Sequence, residues 1–118
     1  MSNAVKEKSF AFAIRIVNLH RFLVAEKREF VLSKQLLRSG TAIGALVREA
    51  EQAESKLDFV HKMAIAFKEA NETEYWLMLL KDSDYLDEKS YISIHSDSEE
   101  LIRLLASIVK SSKESLRK

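Results

Sequence analysis

The chain has 118 residues, 47% of them hydrophobic and 31% charged, with two glycines, no proline and no cysteine. That length suits one compact domain, expected over residues 5–118, and the lack of cysteine excludes disulfide frameworks and thiolate metal sites and points to a reducing, cytoplasmic setting. The net charge is only +1, so bulk charge alone calls for no polyanion, and the longest apolar run, Tyr75 to Leu80, is far short of the roughly 20 residues of a membrane span.

Residues 1–4 carry neither the basic nor the apolar region of a signal peptide, and Ser2-Asn3-Ala4 reads as a cloning scar, so they are expected to be disordered and are set aside. Beyond them, abundant Ala, Leu, Glu and Lys and the missing Pro favour an all-α fold, because these side chains lose little freedom in a helix. The spacing predicts a first helix over about 6–27, with Phe10, Ile14, Val17 and Val24 on one stripe and Phe12, Ile16, Leu19 and Leu23 on another, so this helix should touch more than one neighbour. A second helix is predicted over about 33–53. There the Ser33 hydroxyl is placed to accept from a helix-start N–H, with Leu32 stapled onto Leu37, and Leu36, Ile43, Val47 and Ala50 form the stripe.

The third helix, about 56–81, opens on Ser55-Lys56-Leu57-Asp58, a capping box, and carries Phe59, Met63, Ala66, Ala70, Leu77 and Leu80 until Asp82-Ser83-Asp84 stops it. The fourth, about 87–114, starts at Asp87 with Leu86 and Tyr91 as a staple and carries Ile94, Leu101, Leu105, Ile108 and Val109. Ser96-Asp97-Ser98 interrupts its stripe, either as a solvated turn of one long helix or as a true break. Four such helices with short links read as an antiparallel up-down-up-down four-helix bundle.

Two blocks carry a resemblance. Leu32-Ser33-Lys34-Gln35-Leu36-Leu37-Arg38-Ser39, with Ile43-Gly44-Ala45 and Glu49-Ala50, is the first; Asp58-Phe59, Ile65-Ala66-Phe67-Lys68-Glu69-Ala70 and Glu72-Thr73-Glu74-Tyr75-Trp76-Leu77 make the second. Together they resemble the bacterial four-helix-bundle proteins encoded in intervening sequences of 23S ribosomal RNA genes, over nearly the whole chain after Lys6. The resemblance implies a four-helix bundle without catalytic residues or cofactor and a ring-shaped homo-oligomer, a pentamer being the expected ring. It also implies an undefined function, with nucleic acid and a reverse transcriptase as partners of a similar accessory protein of diversity-generating retroelements.

The residues themselves allow less. Charge is unevenly placed: residues 1–31 hold six basic and three acidic residues, 82–100 one basic and seven acidic, and 101–118 five basic and one acidic. An antiparallel bundle puts the first and last of these at one pole, where Lys6, Lys8, Lys110, Lys113, Arg117 and Lys118 should converge, and a ring would multiply that field toward a polyanion. The plainer reading is that they complement the helix dipole and keep the ends soluble. Arg15 and Arg21 suit phosphate contacts or surface ion pairs equally, and with no base-reading motif any RNA binding would rest on phosphate charge and shape.

Gly40 and Gly44 lie four apart inside the second helix, where each costs about 1 kcal/mol relative to Ala. A close helix crossing, within the bundle or between protomers, or a local kink would offset that. Arg38 is placed either to reach Glu69 or Glu72 across helices or to share a solvated stripe with them. Tyr75 and Trp76 point different ways, so one is a candidate interface anchor and the other a core residue. Metal binding is not expected: Asp58-x-x-His61 is the sole approach to a di-iron pattern, and Asp58 is better used as a cap.

Overall fold

The structure is a computed structural model describing residues 3–117, and it is a bundle of α1 (Asn3–Ala25), α2 (Leu32–Glu51), α3 (Lys56–Asp82) and α4 (Glu88–Leu116). No strand occurs among the described residues. Each helix packs on the next in chain order and α4 closes back on α1, while the diagonal pairs make no close backbone approach. Cross-helix pairs fix the alternating directions: Lys6 with Glu51, Glu49 with Lys62, Glu74 with His95 and Lys8 with Glu100. The result is a rod of 51 × 21 × 21 Å.

One core cluster runs its whole length, and its residues are those that recur at helical spacing. Val5, Phe12, Ile16 and Leu23 come from α1, and Leu36, Ile43 and Val47 from α2. Met63, Ala66, Ala70, Leu77 and Leu80 come from α3, and Ile94, Leu101, Leu105 and Val109 from α4. α1 meets two neighbours, α2 and α4, as its two stripes lead one to expect, but the stripe that begins at Phe10 is only partly covered. Phe10 is 58% and Ile14 49% exposed, because the two helices flanking α1 approach from either side of the Phe12–Ile16 stripe and leave the opposite face open.

Helix ends follow from identifiable capping groups. α1 already begins at Asn3, earlier than position 6, since fully buried Val5 ties the first turn to the core, whereas Met1 and Ser2 lie outside the described residues. It stops at Ala25, where Arg28 takes a left-handed φ of 54° and turns the chain. At the start of α2 Ser33 does not cap: its hydroxyl donates to the Glu29 carbonyl at 2.7 Å. The Glu29 carboxylate performs that task instead, accepting from the N–H groups of Val31, Leu32 and Ser33 at 3.2, 3.1 and 2.7 Å.

Ser55 accepts from the Asp58 N–H at 3.0 Å, and Asp58 reaches back to the N–H of Glu54, one residue before the cap. Asp84, at φ 66°, ends α3 within the expected polar cluster. Asp87 caps α4 through the Ser90 N–H at 2.7 Å. α4 is one unbroken helix through Ser96-Asp97-Ser98: Asp97 bonds Arg15 of α1, and Ser98 is a small buried residue within the packing.

Burial pushes the Glu29 carboxyl up, but the three backbone N–H groups outweigh it and hold the group below the usual glutamate range. Its contribution to stability is therefore present above that range and lost as pH falls through the folded value. Glu29→Gln should lower the unfolding free energy by about 1–2 kcal/mol at neutral pH. In urea unfolding at several pH values, the gap between the two proteins should close in acid; a gap independent of pH would contradict the capping role.

Candidate functional site

The buried interior is apolar apart from small hydroxyl residues and Glu29, so polar chemistry lies on the outside of the rod. Among the described residues no group of three or more His, Cys, Asp or Glu could hold a metal ion, and no helix is long and apolar enough to cross a membrane. What remains is a set of surfaces, and three of them gather the residues singled out above.

The first is cationic. Lys110, Lys113 and Arg117 lie on the outward face of the last turns of α4, in line with Arg103, and all four are exposed. Among the described residues Lys110, Lys113 and Arg117 make no ion pair, while Arg103 reaches Glu99 only at 4.0 Å. From Arg103 to Arg117 this row spans about 21 Å of helix. Lys56, exposed at the start of α3, joins it across a small cleft floored by Phe59 and Val60 and rimmed by Ser112 and Ser115.

Of the other basic residues, Lys6 lines a second cleft with Lys56 near that end, but it, Lys8 and Arg15 are engaged by carboxylates. Lys6 pairs with Glu51 at 3.3 Å, Lys8 with Glu100 at 3.1 Å, and Arg15 with Asp97 at 2.6 Å. Since Lys8 is level with Glu100, Lys110 lies about 15 Å further along α4, beyond the start of α1 at Asn3, about 8 Å from Lys8. The basic end of α4 is thus accompanied by the start of α3. Arg21 is exposed and unpaired among the described residues, but on α1 toward the opposite pole. Lys118 lies outside the described residues.

The second surface is apolar and has two parts on diagonal helices. On α1, exposed Ile14 stands near Phe10, and Phe10 and Ala13 line a shallow groove of about 250 Å³ whose other wall is Thr41, Gly44 and Ala45 of α2, with Lys6 and Arg48 at its edge. On α3, Tyr75 (57% exposed) and Met78 (47%) stand outward. Trp76, next to Tyr75 at 5.0 Å between ring centroids, turns instead against the core, and its indole N–H donates to Glu72 at 3.0 Å.

The third is the polar tie between α2 and α3. Arg38 pairs with both Glu69 and Glu72, and beneath it the Thr73 hydroxyl donates to Ser39 in a fully buried bond. The Trp76 indole, and then Arg38, hold the Glu72 carboxyl below its usual range. Arg38 is half exposed, so this bridge contributes little to stability. Lys68 and Glu72 form no ion pair among the described residues.

Both glycines serve the α1–α2 crossing. A Cβ on Gly40 would sit 2.8 Å from two carbons of buried Ile16, and one on Gly44 would sit 3.4 Å from the Ser9 carbonyl oxygen. α2 is continuous through both.

A family model described as 23S rRNA-intervening sequence protein matches residues 1–107. A crystal structure from Bacteroides thetaiotaomicron VPI-5482, of a protein described as of unknown function from the S23 ribosomal protein family, is similar over 92% of this chain and 96% of its own. Sequence identity there is 61% and the TM-score is 0.90. No curated protein matches the chain.

The two glycines should respond oppositely to a methyl group. Gly40→Ala forces the branched carbons of Ile16 aside and should cost about 1–3 kcal/mol. Gly44→Ala meets only ordinary contact and should be neutral or stabilising by up to about 1 kcal/mol. Thermal unfolding of both variants checks this, and equal effects would contradict the assigned crossing.

Proposed function

The chain belongs to the 23S rRNA-intervening sequence protein family, and from that footing we propose that it is a non-enzymatic, self-associating scaffold that binds structured nucleic acid through the cationic end of α4. The observation that carries the proposal is the row Arg103, Lys110, Lys113 and Arg117, with Lys56 beside it. Most other basic side chains on the rod are committed to carboxylates or aromatic rings, whereas Lys110, Lys113 and Arg117 are free among the described residues. Lys118 belongs to the same set by sequence. Contacts of this kind read phosphate spacing and helix shape and carry no base code. The similarity to an S23 ribosomal protein family member supports an RNA partner of ribosomal type, and a nucleic-acid enzyme such as a reverse transcriptase is the protein partner consistent with it.

Self-association is supported by the uncovered faces. Phe10 and Ile14 on α1, with Tyr75 and Met78 on α3, look outward from diagonal corners of the bundle, so one protomer offers two different apolar surfaces. Two unlike surfaces make a head-to-tail contact, which closes into a ring when the rotation permits, five subunits being the number that the family resemblance implies. Covering each of these half-exposed side chains contributes on the order of 1 kcal/mol. A ring repeats the α4 row around its axis and gives a weakly charged protomer a strong local field. The lack of cysteine supports a cytoplasmic setting.

A second reading, a protein-interaction module without nucleic acid, is favoured by the same Tyr75–Met78 face.

Two measurements decide between them. Binding of a structured ribosomal RNA fragment should weaken steeply with salt, and replacing Lys110, Lys113 and Arg117 by Ser should flatten the logarithmic slope by about 3. Binding that is absent or indifferent to salt would reject the nucleic-acid role and leave the protein module. In sedimentation velocity at micromolar concentration the protein should run as an oligomer, and Phe10→Glu with Tyr75→Glu should release monomers of unchanged helicity. A wild-type monomer would reject the ring.

A further inference from the structure

The seam between α1 and α4 is the loosest of the four, and it holds an open groove of about 610 Å³ in the half of the rod away from the basic α4 end. Its floor is apolar, made by Leu19 of α1, Leu86 of the α3–α4 turn and Ile94 of α4. Its rim is polar: Arg15 and Asn18 from α1 face Lys89 and Ser93 from α4. A volume of this size and an apolar floor with a few converging polar groups are the ordinary attributes of a small-molecule site, for which about 300–1,000 Å³ is typical.

The distribution of charge indicates what it takes. Residues 82–100 carry seven acidic side chains and one basic one, yet the single cation, Lys89, lines the groove and none of the seven carboxylates does. Lys89 is exposed and makes no ion pair among the described residues. Arg15 is held across the seam at the rim of the groove: its Nη1 donates to the Asp97 carboxylate and the Ser93 carbonyl, and its Nη2 donates to the Ser93 hydroxyl. A guanidinium has five N–H donors, so two of them are left for a ligand while three fix the plane of the fork.

We propose that this groove binds a small organic anion, a carboxylate or phosphate head on a short apolar body. The head bonds Arg15 and Lys89, and the body lies over Leu19, Leu86 and Ile94. The site lies apart from the α4 cationic row and from both apolar faces, and it stands or falls independently of nucleic-acid binding.

The test is an amide chemical-shift titration of isotope-labelled protein with octanoate, octyl phosphate and octan-1-ol into the low-millimolar range. Saturable shifts centred on Ser90, Ser93 and Ile94 are expected with at least one of the anions, the better one naming the head. Octan-1-ol should bind at least about tenfold more weakly, as should the better anion to Lys89→Glu. Because Lys89 is exposed and acts through space on the Asp87 cap alone, the spectrum of that variant should be unchanged beyond the first turn of α4, which separates lost binding from lost folding. No saturable shift with either anion, shifts scattered over the rod, or octan-1-ol binding as tightly as the anions would overturn the assignment.

Discussion

Everything else in this molecule depends on the filled core of the rod. Four apolar stripes meet along its length in one continuous cluster, and the α1–α2 crossing is so close that Gly40 lies directly on Ile16. A close-packed interior of this kind has no room for a substrate or for converging ionisable groups. The polar side chains are therefore pushed to the seams and the outer faces. At the seams they bridge neighbouring helices, as Arg38 does between α2 and α3 and Arg15 between α1 and α4. On the outer faces they are available to partners.

Much of the fold is legible in the sequence because its signals are local. The Ser55 and Asp87 caps and the Asp82-Ser83-Asp84 stop each act within four residues, and each operates in the structure. The Glu29 cap is harder to read, since its carboxylate follows a left-handed turn at Arg28 and serves a helix that begins three residues later, and no familiar box describes that spacing. The Phe10–Ile14 stripe is legible as apolar but not as exposed: helical periodicity says that a face wants cover without saying which chain supplies it.

The candidate surfaces are less legible for a related reason. Counting charge along the chain treats every lysine as free, whereas Lys6, Lys8 and Arg15 are bound to Glu51, Glu100 and Asp97, partners as many as 92 positions away. Setting those aside leaves the α4 row and, toward the other pole, Arg21, and the length of α4 carries that row past the start of α1. The α1–α4 groove has no sequence signature at all. It arises because two helices with small or polar residues at their contact, Asn18 and Ser93 among them, do not close completely.

The most direct measurement is a hydrogen-exchange footprint of a structured ribosomal RNA fragment on the intact protein, since a rod with a solid interior has only its surface to offer. Added protection is expected over residues 103–117 and the first turn of α3, with the core amides unchanged. Protection at the acidic pole instead, or loosened core amides, would contradict a function carried by the outer face of α4.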